Sequence, residues 1–229
     1  MDFWFTIRII FLIILIIFGI FFFIIFVVLR IIRRYHKFPV PAFMTRLIDN
    51  PIRRKLIQKP ETVAKRMKLE PDMIVIEIGP GKGNYTKALA KSILPGGKVY
   101  AIDIQESIIH RLKKKIEKEN IINIIPKLDD VYNLSFEDES VDRILMIACL
   151  PEIPDPIKVL KELKRILKPN GLISLSEMLP DPDYPLRRTE KRWAKEAGLE
   201  FLEGFGNFFI YQLNFIKKFS KYHRVYQSN

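Results

Sequence analysis

Residues 75–86 read Val75-Ile76-Glu77-Ile78-Gly79-Pro80-Gly81-Lys82-Gly83-Asn84-Tyr85-Thr86. An apolar, β-branched run enters a glycine-rich turn and leaves it as a helix, so free backbone N–H groups and the positive helix end gather at the carboxyl edge of a strand. In open α/β sheets that edge is where ligands bind. Glycine suits the turn because a side chain would block close approach of a ligand. A tight strand-to-helix turn with no ligand explains the glycines equally well. Asp103 adds a second signal, since it ends the next apolar run about 20 residues after Gly83, where an acid can accept both hydroxyls of a ribose. A dinucleotide site wants G-x-G-x-x-G/A, but Asn84 occupies the third position of that pattern, and the glycines follow G-x-G-x-G instead.

Outward from this segment, short β-branched runs alternate with amphipathic stretches, the pattern of a parallel sheet covered on both faces. Strands are predicted at residues 73–78, 98–103, 122–125, 143–148 and 172–177. Between the second and third, Ile108, Ile109, Leu112 and Ile116 form an apolar helical stripe, with Lys113, Lys114, Lys115 and Lys118 as its solvated flank. Asp155 and Pro156 mark the cap and first position of a later helix that buries Ile157, Leu160, Leu163 and Leu167 and stops at Pro169-Asn170-Gly171. A last helix holds Trp193 and ends near Gly198. Residues 199–202 and 208–216 then read as an antiparallel pair at the end of the sheet.

Toward the N-terminus the pattern changes character. From Ile9 to Leu29 the chain is Ile, Phe, Leu and Val interrupted only by Gly19, and as a helix these residues span roughly 31 Å, the thickness of a bilayer core. A signal peptide would carry a shorter apolar region and a small-residue cleavage site, and neither is present. Arg30, Arg33, Arg34 and Lys37 follow the run while Arg8 alone precedes it, so the positive-inside rule places the rest of the chain in the cytoplasm and the N-terminus outside.

The whole chain carries 38 Lys and Arg against 26 Asp and Glu. Residues 30–68 hold 12 of the basic and 2 of the acidic side chains, while residues 69–229 are nearly balanced. Basicity confined to a juxtamembrane stretch fits an anionic membrane surface, whereas a nucleic-acid protein would spread it over the folded domain. Past Pro39 and Pro41, residues such as Phe43, Leu47, Ile52 and Leu56 recur near helical spacing among arginines, a basic amphipathic element split by Pro51. It either lies on the membrane or packs on the following domain. The expected organisation is therefore a transmembrane anchor with its basic flank at 1–35, an amphipathic linker at 36–68 and a domain at 69–229. With 48% hydrophobic and 28% charged residues the chain is a folded protein and no disordered scaffold. One cysteine, Cys149, excludes an internal disulfide, and His36, His110 and His223 lack the spacing of a zinc site.

The turn, with Glu77 two residues before its first glycine, resembles that of class I S-adenosylmethionine-dependent methyltransferases. The resemblance continues through residues 98–103, Lys127-Leu-Asp-Asp130, residues 134–142 and Leu163-Lys-Arg-Ile-Leu-Lys-Pro-Asn-Gly171, covering roughly residues 60–216 in the family's order. It implies a Rossmann-like α/β sheet, mostly parallel with an antiparallel strand at the C-terminal end, preceded here by one transmembrane helix. It also implies S-adenosylmethionine as cofactor, with Gly79, Gly81 and Gly83 shaping the turn around its amino-acid end, Glu77 holding its ammonium, and Asp103 its ribose. Asp130 stands where the family reads the adenine amino group, with Asp129, in place of a more usual glycine, as the competing acid. Residues 148–150 stand where the family lines the methyl-transfer pocket.

Methyl transfer from a sulfonium is an in-line displacement that alignment and water exclusion accomplish without a metal. Glu152, Glu177 and Tyr184 stand near strand ends as possible bases or as structural residues, so no catalytic residue is assigned. The aromatic that adenine N6-methyltransferases place after the fourth strand is replaced by Glu152, which weakens an RNA-methylating reading. The expected function is a membrane-anchored methyltransferase acting on an O, N or C acceptor such as a lipid or an isoprenoid quinone precursor. Its partners are then the membrane lipid surface and a small-molecule or lipid acceptor, with nucleic acid disfavoured. The alternatives are a soluble small-molecule, protein or RNA acceptor, and a non-catalytic membrane module on the same fold.

Overall fold

The computed structural model describes residues 3–37, 58–179 and 181–217. The amphipathic element expected over residues 43–56 lies outside them. Seven strands form one sheet: β1 (Ile74–Ile78), β2 (Lys98–Asp103), β3 (Ile124–Leu128), β4 (Val141–Ile147), β5 (Leu167–Met178), β6 (Leu199–Gly206) and β7 (Ile210–Lys217). Their order is β3-β2-β1-β4-β5-β7-β6. The first five are parallel and β7 inserts antiparallel between β5 and β6. This is a Rossmann-like sheet with the expected antiparallel C-terminal end.

Helices α1 (Phe3–Tyr35), α2 (Pro60–Arg66), α3 (Asn84–Ser92), α4 (Glu106–Lys118), α5 (Pro156–Ile166) and α6 (Arg187–Glu196) complete the described chain. The central strands are buried on both faces, so alternate residues feed two cores, while edge strand β6 is largely exposed. Val75, Val99 and Leu145 pack with α2, α3 and α4 on one face, and Ile76, Ile144 and Ile173 pack with α5 and α6 on the other. Truncating such a residue, for instance Ile76→Ala, costs about 2–5 kcal/mol. Val63, Ala64 and Met67, in and just after α2, belong to the first of these cores.

Most elements stand where periodicity puts them. The α4 stripe of Ile108, Ile109, Leu112 and Ile116 is buried, and the Asp155 side chain caps α5 by accepting the Lys158 N–H at 3.0 Å. Several boundaries differ: β6 runs on to Gly206 where residues 199–202 were expected, and β7 starts at Ile210 where residue 208 was expected. The third strand runs over 124–128 rather than 122–125, leaving Ile122 93% exposed, because Asn123 uses its side-chain amide to bond Ala90 O and Gly97 O at the strand entrance. The fifth strand begins at Leu167, so the Pro169-Asn170-Gly171 segment interrupts a strand instead of closing a helix, and Asn170 takes the left-handed φ of +64° there.

Helix α1 is apolar along its length, with its residues exposed nearly throughout. By length and composition it is sufficient to cross a membrane. Its C-terminal end is the exception, for Arg33 is buried against the domain.

Candidate functional site

A cavity of about 360 Å³ opens at the carboxyl ends of β1, β2 and β4, the edge where the sheet order reverses around β1. Glu77, Gly79, Gly81, Asp103, Asp129 and Asp130 all line it. Six of the seven acids and glycines named from sequence are thus brought together by one strand edge.

Gly79 takes φ +72°, donates its N–H to Ile102 O at 2.9 Å, and lies so close to Cys149 that an added Cβ would sit 2.9 Å from Sγ. Gly83 is absent from the cavity wall. Its φ of +71° starts α3 and its missing Cβ makes room for Leu112, whose Cδ1 would stand 2.4 Å away. Its glycine is required by packing between α3 and α4, a need that a sequence pattern of glycines cannot separate from contact with a ligand.

Glu77 is buried at the floor of the cavity and accepts a hydrogen bond from the Thr86 hydroxyl on α3. Asp103 accepts the Gln105 N–H at 2.9 Å, and burial raises its pKa while the backbone N–H groups of Gln105 and Ile104 partly oppose the rise. The two adjacent acids after β3 differ in commitment. Asp129 accepts the Ser135 hydroxyl at 2.6 Å and pairs with Lys127 at 3.1 Å; burial works to raise its pKa, but these bonds prevail and hold it low. Asp130 is exposed and uses Oδ1 to cap the Tyr132 N–H at 3.0 Å.

On the opposite wall, Ala148 takes φ +49° and turns the chain after β4 so that residues 147–149 face the cavity. The Cys149 thiol is held well above its ordinary pKa by burial, reinforced by Glu152 and Asp103, which suits a packing residue and no nucleophile. Of the three acid–base candidates, Glu152 alone reaches the wall. Tyr184 donates its hydroxyl to Phe208 O. Glu177 lies wholly buried beside α6, its carboxyl next to that of Glu190, which also neighbours the Tyr211 hydroxyl. Burial raises both pKa values, that of Glu190 to about 8, and the neighbouring Glu190 charge raises Glu177 further.

The end of α1 contributes what no sequence pattern announced. Arg33 donates Nε to the Asp183 carboxylate and its Nη2 lies 3.6 Å from Glu152 Oε1, with all three side chains largely buried. Arg30 donates to Tyr184 O at 3.0 Å. Lys37 donates Nζ to Ile153 O at 3.2 Å, stands 5.7 Å from the Trp193 ring centroid, and lines the cavity. Burial lowers the Lys37 pKa, and the charges of Asp183 and Asp155 oppose the fall. Read as sequence, these cations are a juxtamembrane cluster; their partners lie more than a hundred residues away.

Residues 76–175 match the family model for a methyltransferase domain. Among curated proteins the chain is similar to the demethylmenaquinone methyltransferase of Lactobacillus johnsonii, 32% identical over 114 residues, which are 49% of this chain and 47% of the relative. It is also similar to the catalytic subunit of the tRNA (adenine(58)-N(1))-methyltransferase of Yarrowia lipolytica, 29% identical over 56% of this chain and 33% of that one. The chain therefore spans about half or less of the length of these relatives. A crystal structure of an S-adenosylmethionine-dependent methyltransferase from Aquifex aeolicus superposes with a TM-score of 0.73 at 25% identity, covering 79% of this chain and all of the other. A [4+2]-cyclase shares the fold at a TM-score of 0.58 and 18% identity, over 64% of this chain and 57% of its own, so the fold by itself does not fix the chemistry. Family model and structural neighbours together identify the domain as a class I S-adenosylmethionine-dependent methyltransferase. The floor acid, the acid ending β2 and the open glycine turn fit that cofactor, which supplies an activated methyl group on a sulfonium.

Proposed function

We propose that this chain is a methyltransferase held in a membrane by α1, with a methyl acceptor that is an amphiphile drawn from the bilayer, a quinone precursor being the leading class. The observation that carries the reading is the docking of the juxtamembrane cations on the rim of the cavity, with Lys37 in its wall. Residues 1–35 then form the anchor and residues 69–229 the catalytic domain, with its cavity at the membrane surface on the cytoplasmic side. The relatives named demethylmenaquinone methyltransferase support the acceptor class.

In this reading Asp103 accepts the ribose hydroxyls, Glu77 balances the ammonium, and the N–H groups of the glycine turn meet the carboxylate of the cofactor. Asp130 reads the adenine amino group, because Asp129 is already committed to Lys127 and Ser135. Residues 147–149 shape the space in which acceptor and methyl group align, and enclosure there excludes water. Lys37 holds an acceptor oxygen as its anion, a task for which a partly desolvated ammonium is suited. Arg33 positions Glu152 and the loop around Asp183.

The test is calorimetric titration of the full chain in lipid nanodiscs with S-adenosylhomocysteine, beside methyl transfer to demethylmenaquinone supplied in the lipid and to water-soluble phenols. Asp103→Ala should weaken cofactor binding roughly 100-fold, as expected for losing charge-assisted bonds to two hydroxyls. Equal turnover of soluble phenols and lipid-borne acceptors would remove the membrane-acceptor reading and leave the methyltransferase standing.

A further inference from the structure

The hairpin between β6 and β7 presents two large apolar side chains to solvent, Phe208 at 59% and Phe209 at 62% exposure. Such residues usually find cover, since each buried phenyl group is worth about 1.5–3 kcal/mol. Here the turn prevents retreat. The Asn207 side chain accepts the N–H of Phe209 at 2.9 Å and of Ile210 at 3.2 Å, and Leu179 donates its N–H to Phe209 O at 2.7 Å. The two rings meet edge to face at 5.6 Å. The tip lies on the same sheet edge as the cavity, because Ile210 pairs with Met178 at the carboxyl end of β5.

A short chain of bonds joins this tip to the membrane helix. Tyr184 donates its hydroxyl to Phe208 O and packs its ring 6.4 Å from that of Phe208. The carbonyl of the same Tyr184 accepts from Arg30 at 3.0 Å. Arg30 directly follows Leu29, the last residue of the apolar run, and so belongs at the head-group level. One tyrosine therefore separates the aromatic tip from that level. Arg187 bonds Phe205 O and Asn207 O beside the tip, and its chain neighbours Leu186 and Arg188 are exposed, a cation-and-apolar mixture suited to an interfacial surface.

We propose that Phe208 and Phe209 form a second membrane contact, seated at the boundary between head groups and acyl chains, which with α1 fixes the cavity mouth against the bilayer. The inference rests on the reading of α1 as a membrane anchor. Two attachment points on one sheet edge stop the domain from turning freely about its tether, so an amphiphile reaches the cavity without crossing water.

The experiment places a nitroxide label at Phe209→Cys, and separately at Phe208→Cys, in a Cys149→Ser full chain reconstituted in vesicles of phosphatidylcholine and phosphatidylglycerol. Ile20→Cys reports the anchor and Ile122→Cys the opposite, water-facing sheet edge. Collision of each label with oxygen, enriched in lipid, is compared with collision with a water-soluble nickel chelate. The oxygen-to-nickel ratio at 208 and 209 should exceed that at 122 by at least about threefold. An aqueous ratio at both hairpin positions with a lipid ratio at 20 overturns the second contact and leaves the anchor intact. An aqueous ratio at 20 as well overturns the anchor reading and this inference with it. Shielding of 208 and 209 from both reagents overturns the inference in favour of a protein partner.

Discussion

The glycine-turn side of the cavity takes Glu77, Gly79 and Gly81 from one unbroken segment, whereas the opposite side joins Lys37 to Ile153 across 116 residues and Arg33 to Asp183 across 150. The first side is made chiefly of backbone, fixed by the φ angles of the glycines and by a strand in the centre of the sheet. The second is made of side-chain charges and loop carbonyls gathered from three separate places. A site that binds an invariant group can be built locally. One that must suit a particular acceptor, at a particular distance from a tether, is assembled from afar.

Three measurements sharpen that contrast. The largest effect should come from the buried Glu177 and Glu190 behind the assembled side. A folded-state pKa raised to about 8 for Glu190 means that the native protein keeps a proton which the unfolded chain loses near its ordinary value of 4.5. Stability is then greatest below the unfolded value and falls as pH rises from there to about 8, by up to about 5 kcal/mol in total. Urea unfolding of the full chain in nanodiscs across that range should show the decline; Glu190→Gln should reduce it, and only replacing Glu177 by Gln as well should flatten most of it. A slope unchanged by the substitution would assign the decline to other groups.

Next, Arg33→Gln removes the cation that Glu152 and Asp183 share. Removing one partner of a buried ion pair costs about 3–5 kcal/mol at most, and local opening of the loops should rise accordingly. Amide exchange over residues 150–154 and 181–186 should accelerate roughly 100-fold, while the Gly79–Gly83 turn stays protected. Equal acceleration in the turn would mean that the two sides are one cooperative unit.

The smallest effect is expected at Gly83→Ala, where a left-handed φ and a Cβ placed 2.4 Å from Leu112 together cost about 2–3 kcal/mol. Thermal unfolding should register the loss. Because Gly83 stands outside the cavity wall, affinity for S-adenosylhomocysteine in the folded fraction should change far less than it does in Asp103→Ala. A matching loss of affinity would return Gly83 to the ligand side of the comparison.

Several features were legible from residue order because their causes are local. The β-branched run into Gly79, the acid that ends β2, the α4 stripe and the Asp155 cap all follow from neighbours within a few positions. Placement of β7 between β5 and β6 was not legible, since an antiparallel pair reads the same whichever strand lies inside. Gly83 was read for the ligand, and its missing Cβ also makes room for Leu112, a packing need that the sequence does not show because it leaves open what fills the place of a missing Cβ.

The sequence by itself determined the α/β alternation, the glycine turn with Glu77 before it and Asp103 at the end of the next strand, and an apolar helix long enough to span a bilayer. Periodicity, glycine conformation and hydropathy are properties of a few consecutive residues. Only the tertiary structure decided that Arg30, Arg33 and Lys37 dock on the cavity, that Glu177 is buried beside Glu190 and away from the wall, and that Phe208 stands one tyrosine from α1. Those facts depend on which distant segments the closed sheet brings together, and contact across more than a hundred residues leaves no periodic trace in the chain.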